Sequence, residues 1–164
     1  MKHLMENWRG FLLSESGSVK YDGALKIMPD ANVVASLHLL SQELPKETEV
    51  PWEDEPASVV PLPEDKWHVT LVHPSFLKPH KKQLKEMEFP PPPDIILSAE
   101  VEERISDDDG GRKSWAVFLE NQEQMRHYVN TIMKELGAPK DPEPSRRFHV
   151  SIANLTGRLG DSVR

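Results

Sequence analysis

The sequence contains no cysteine. That absence removes disulfide cross-links, thiolate nucleophiles and cysteine-based zinc sites together. No apolar run approaches the roughly 20 residues that span a bilayer, so neither a membrane-spanning helix nor a membrane partner is expected. The opening stretch, Met1 to Glu15, intersperses Lys2, Glu6, Arg9 and Glu15 among apolar residues. It lacks the basic-then-apolar layout of a secretory signal, and a cytoplasmic setting is the expectation. Basic residues are outnumbered, 20 Lys and Arg against 27 Asp and Glu, for a net charge of −7. Such a balance argues against a protein that coats long duplex nucleic acid through many phosphate contacts. The deficit is local, however. Residues 46–65 hold seven acids against the single Lys46, a net −6, which leaves the rest of the chain near −1. A small or short-chain phosphate compound held in one pocket is compatible with that distribution.

The 164 residues suit one domain able to bury a real core, and a monomer is expected. Residues 2–15 place Leu4, Trp8, Phe11 and Leu12 at helical spacing, so 1–18 reads as a helical N-terminal extension ending at a break near Gly17. Alternation over 21–28 predicts a strand, with Leu25 and Ile27 on one face and Ala24 and Lys26 on the other. Asp30 is placed to cap a helix that buries Val33, Leu37, Leu40 and Leu44. The stretch 45–66 holds Pro45, Pro51, Pro56, Pro61 and Pro63 and reads as a long acidic loop, of the kind that is often a lid or mobile. A strand over 67–73 and a helix over 80–88 follow, stopped by Pro90 to Pro93. Strands over 94–105 and 113–120 are joined through Asp107 to Gly111, which has hairpin-turn composition. Asn121 with Gln124 resembles a capping box for a helix that buries Met125, Val129, Ile132 and Leu136 and ends at Gly137. The last strand is expected over 147–153.

The order repeats. In each half a strand leads to a helix with the same apolar spacing. A strand then carries an aromatic residue, His, Val, a hydroxyl residue and an aliphatic residue: Trp67-His68-Val69-Thr70-Leu71 and Phe148-His149-Val150-Ser151-Ile152. Side chains at i and i+2 of a strand share a face, so His68 points with Thr70 and His149 with Ser151. Val69, Leu71, Val150 and Ile152 face the opposite way. Two such strands side by side would bring two imidazoles and two hydroxyls to one cleft. Those groups suit a phosphodiester: one imidazole takes a proton from water, the other gives one to the departing oxygen, and the hydroxyls hold the phosphate oxygens. No metal or other cofactor is needed. The fold class read from this pattern is α+β, two similar lobes with helices outside a largely antiparallel sheet.

The paired motifs His68-Val69-Thr70-Leu71 and His149-Val150-Ser151-Ile152 resemble the signature of the 2H phosphoesterase superfamily. That group includes 2′,3′-cyclic phosphodiesterases, 2′,5′-oligoadenylate phosphodiesterases and the U6 RNA phosphodiesterase. The resemblance covers the element order of 21–155. It implies a bilobal fold with a central cleft, catalytic His68 and His149, and phosphate-binding Thr70 and Ser151. It also implies a nucleotide or short oligonucleotide as substrate. The continuation Ala153-Asn154-Leu155-Thr156-Gly157 is similar to the U6-type enzymes, and the opening Met5-Glu6-Asn7-Trp8-Arg9-Gly10-Phe11-Leu12 is similar to small phage-encoded proteins. The alternatives are a module that sequesters nucleotides without turnover and an RNA 3′ exonuclease. Lys26 is a candidate phosphate ligand or a solvated lysine, and Arg146 and Arg147 are further candidates. Tyr21, Trp67, Trp115 and Phe148 either stack a base or pack the core. His73, opposite in facing to His68, is expected to be structural. His3, His38, His80 and His127 are expected at the surface. His68, His73 and His149 lack a carboxylate at zinc-ligand spacing.

Overall fold

The computed structural model describes residues 17–138 and 141–164, and the helix expected over 2–15 lies outside them. The expected strand over 21–28 is instead the end of a hairpin, β1 (Ser18–Tyr21) and β2 (Leu25–Met28). Asp22-Gly23 is a strong turn dipeptide, and Gly23 takes φ +110, which a side chain would resist. Leu25 and Ile27 are fully buried on one face, with Lys26 on the other. Helix α1 (Ala31–Ser41) is capped as expected, the Asp30 carboxylate accepting from the Val33 backbone N–H at 2.9 Å. It buries Val33 and Leu37, whereas Leu44 lies past its end.

The proline-rich stretch departs from the loop expectation. Two short strands, β3 (Glu47–Thr48) and β4 (Ala57–Ser58), pair with each other, and β5 (Val60–Pro61) pairs onto the main sheet. Val50, Val59 and Leu62 anchor it in the interior, and the Lys113 ammonium donates to the Glu49 carbonyl at 2.9 Å. Trp52 packs where a Cβ on Gly111 would stand. Prolines end strands without preventing burial of the apolar residues between them.

Strand β6 (Val69–Val72) is shorter than the expected 67–73 and begins one residue after His68, so it carries Val69, Thr70 and Leu71 of the first motif; helix α2 (Lys81–Glu86) follows two 3-10 turns. β7 (Glu102–Ser106) is shorter than the expected 94–105 and makes a hairpin with β8 (Arg112–Phe118). Residues 94–101 are held differently: the Asn121 side chain donates to the Asp94 carbonyl and accepts from the Ile96 N–H, and Leu97 bridges Leu119. Asn121 also donates to the Gln124 side chain at 2.9 Å but makes no cap hydrogen bond to α3 (Gln122–Glu135), so the expected pair meets without closing a capping box. The apolar face of α3 is as expected, with Met125, Val129, Ile132 and Leu136 buried. Gly137 at φ +69 ends the helix, and the Ala138 N–H bonds back to the Met133 carbonyl in a Schellman arrangement. β9 (His149–Asn154) carries the second motif.

The result is an α+β protein. Its main sheet runs β1-β2-β6-β9-β8-β7, with every pairing antiparallel, and among the described residues it has three α-helices. The order is palindromic: a hairpin, a helix and a motif strand form each half, and the motif strands β6 and β9 meet at the centre. Val69, Leu71, Val150 and Ile152 join Val33, Leu37, Leu84, Val129 and Ile132 in one apolar core, so the helices cover one face of the sheet. His68, Thr70, His149 and Ser151 face the other side. Among the described residues no helix is long and apolar enough to cross a membrane.

Candidate functional site

The central pairing sets the geometry. Val69 lies opposite Val150 in antiparallel register. One step in either direction puts His68 across from Ser151 and Thr70 across from His149. The two imidazoles and two hydroxyls therefore alternate around one patch, each histidine diagonal to the other. All four line a cavity of about 330 Å³.

Each ring is oriented by the backbone two residues before it. The His68 Nδ1 lies 2.8 Å from the Lys66 carbonyl and the His149 Nδ1 lies 3.0 Å from the Arg147 carbonyl. A carbonyl only accepts, so both Nδ1 atoms carry the proton and both Nε2 lone pairs turn toward the cavity. The Thr70 hydroxyl donates to the His68 Nε2 at 3.0 Å. At His149 the Nε2 faces the Arg104 guanidinium at 3.3 Å, and the ring lies against Phe118. Both histidines are held below their ordinary pKa. Burial is the main cause for His68, with Lys26 and Arg146 adding to it and the Lys66 carbonyl and Asp22 opposing. Burial dominates again for His149, reinforced by Arg104, Arg146 and His68, and its pKa falls to about 4. The site therefore presents two imidazoles that favour the neutral form and can take up protons, beside hydroxyl and guanidinium donors able to hold an anion.

The remaining wall comes from the C-terminal segment. Leu159, Gly160, Ser162, Val163 and Arg164 line the cavity. The buried Asn154 folds that segment back. Its amide donates to the Arg158 carbonyl and the Ser162 hydroxyl, and its oxygen accepts from the Thr156 and Gly157 N–H groups. The Ser114 hydroxyl accepts from the Val163 N–H, and Arg104 donates to the carbonyls of Val163 and Arg164. Neither Arg104 nor this wall was foreseen from sequence. The turn-forming Asn154-Leu155-Thr156-Gly157 was the available signal, and it announced a reversal without saying what the reversal packs against.

Other candidates separate. Lys26 pairs in register with Thr70 and shares its face, but its ammonium is engaged by Asp22 at 2.6 Å and lies outside the cavity lining. Arg146 lines the cavity, and Arg147 sits beside it, its guanidinium over the Phe118 ring. Trp67, Trp115 and Phe148 are 3%, 4% and 1% exposed within the core. A buried ring has no free face, so base stacking on Trp115 is corrected to core packing. Tyr21 pairs with Leu25 and likewise packs toward the core rather than the site. His73 corrects the other way: its Nδ1 accepts from the Ser75 N–H and caps a 3-10 turn, yet the residue also lines the cavity. His38 is exposed as expected and is paired with Glu64. The 46–65 segment contributes nothing to the cavity lining. Among the described residues no group of three or more His, Asp or Glu is placed to hold a metal ion.

Comparison of the chain with family models, with curated proteins and with solved structures finds no match.

Proposed function

We propose that this protein is a metal-independent phosphodiesterase of the 2H phosphoesterase type, hydrolysing a phosphodiester in a nucleotide or short oligonucleotide. The observation that carries this reading is the antiparallel meeting of β6 and β9, with His68, Thr70, His149 and Ser151 around one cavity. The palindromic strand order supports a two-lobed architecture with the cleft over the central pair. The lining of that cavity includes no Asp or Glu, which suits an anionic substrate.

The chemistry needs one proton in and one proton out. A neutral imidazole Nε2 removes a proton from water, whose oxygen forms the new bond to phosphorus. The bond from phosphorus to the leaving oxygen breaks, and the second imidazole, protonated, supplies the proton to that oxygen. Burial holds both histidines toward the neutral form, so the second proton comes with the substrate. A phosphodiester anion beside the rings favours the charged form and raises the pKa of the nearer imidazole. The Thr70 and Ser151 hydroxyls donate to the non-bridging oxygens and hold the phosphorus in line.

The test is hydrolysis in the presence of EDTA of 2′,3′-cyclic nucleotides, 2′,5′- and 3′,5′-linked dinucleotides and cyclic dinucleotides, with His68→Ala and His149→Ala as controls. EDTA-resistant cleavage lost in both variants supports the proposal. Tight binding without turnover of any substrate would leave a sequestering module in its place, and cleavage abolished by EDTA would overturn the metal-free scheme.

A further inference from the structure

A second cavity, of about 510 Å³, adjoins the first and shares His149, Arg146 and Arg164 with it. Its distinguishing feature is charge. Arg104, Arg146, Arg147 and Arg164 line it, four of the chain's eight arginines, in a protein whose net charge is −7. Among the described residues, three carboxylates answer them: Glu102 on Arg147 at 3.2 Å, Glu143 near Arg146 at 3.7 Å, and Asp141, which also acts on Arg146. Arg104 donates to the backbone oxygens of Val163 and Arg164, and the carboxylate acting on it, Glu102, is the one already engaged by Arg147. The Arg146 Nη1 is buried and has no hydrogen-bond partner among the described residues. Arg147 and Arg104 both lie over the Phe118 ring, at 3.8 and 5.5 Å, so the aromatic ring packs these cations in place beside His149. Unspent guanidinium donors around a cavity are what a phosphate recognises, through parallel N–H to oxygen bonds.

We propose that this second cavity is a subsite for an additional phosphate of the substrate, one linkage removed from the phosphodiester held between His68 and His149. This rests on the phosphodiesterase reading and narrows it. The preferred substrate is a short oligonucleotide carrying a terminal or flanking phosphate, rather than a nucleoside with a single cyclic phosphate. Arg147 is the residue to question first, because its guanidinium is more than half exposed while its backbone carbonyl orients His149. Replacing its side chain leaves that carbonyl in place.

The experiment measures binding by the His68→Ala protein, by calorimetry, of adenylyl dinucleotides of 2′,5′ and 3′,5′ linkage. Each is tested without a terminal phosphate and with one at either end. The expected result is a gain in affinity of about tenfold for one phosphorylated form, the size of one charge-assisted hydrogen bond. In Arg147→Ala that ratio falls toward one, and Arg147→Lys recovers part of it. A terminal phosphate without effect at either end, or a gain that survives in both Arg147→Ala and Arg147→Gln, overturns the subsite. Wild-type cleavage of the same dinucleotides is read in parallel. Cleavage without a terminal-phosphate gain sinks the subsite alone, whereas absence of both cleavage and binding sinks the phosphodiesterase reading with it.

Discussion

The two motif strands are near copies in sequence and unequal in surroundings. Beside β6, the His68 Nε2 accepts a hydrogen bond from the hydroxyl of its own motif, and the neighbouring charges are Arg146 and a Lys26–Asp22 pair whose effects oppose each other. On β9, Ser151 makes no side-chain hydrogen bond among the described residues, and the His149 Nε2 faces Arg104 with further cationic groups around it. The strand repeat fixes where the groups stand, and the packing of unrelated segments fixes how readily each holds a proton. A symmetric motif can in this way serve two unlike tasks, one group giving up a proton while the other gains it.

The sharpest way to break the comparison is to delete each histidine. His68→Ala and His149→Ala are each expected to lower kcat by about 10²–10⁴-fold, the usual worth of a general acid or base. Circular dichroism should show both variants folded. A variant retaining full turnover would remove that histidine from the scheme.

The second comparison is thermodynamic. An unfolded histidine binds a proton below about pH 6.5, but folded His149 does so only below about 4. Between those values the unfolded chain holds the extra proton, so stability falls as the pH drops through this window and levels off below it. The contribution is on the order of 3 kcal/mol. Urea unfolding of the protein and of His149→Gln should show a steeper acid loss for the protein, and parallel curves would refute the assigned pKa.

The hydroxyls give a smaller contrast. Thr70→Val leaves the His68 Nε2 without its donor and should cost about 1 kcal/mol of stability. Ser151→Ala removes a hydroxyl with no side-chain hydrogen bond among the described residues and should cost almost none. Both should lower turnover by about tenfold if each hydroxyl holds a phosphate oxygen. Equal stability losses in denaturant titrations would show the two sites to be equivalent after all.

The smallest effect concerns Arg104. Arg104→Ala should raise the His149 pKa, followed by NMR titration of the ring, but by less than its whole depression, because burial is the larger cause. A ring that titrates unchanged would mean that Arg104 does not tune it.

Much of this is legible in the amino-acid sequence. The alternation of His68 with Thr70 and of His149 with Ser151 is a local property of strands, and both pairs share a face as that period requires. The apolar spacing of α3 named its buried face, and Asp30 named its helix start. What the sequence hid was decided by partners far along the chain. Asn121 reads as a cap but is drawn to Asp94 and Ile96, 27 and 25 residues away. Arg104 lies 45 residues from the His149 it faces, and nothing in its neighbours announces that contact. The segment 46–65 looked loose because proline and acid dominate its composition, while its few apolar residues, Val50, Val59 and Leu62, tie it down.

The meeting of β6 and β9 also has a kinetic side. Each half, hairpin then helix then strand, can gather from contacts within its own stretch of chain. The paired Val69 and Val150 stand about eighty residues apart, so their pairing closes the longer loop. Long-range closures carry the larger entropic cost and form late in a folding reaction. Recovery of the paired imidazoles on refolding should therefore lag behind recovery of helix, and the appearance of the site would time the joining of the two halves.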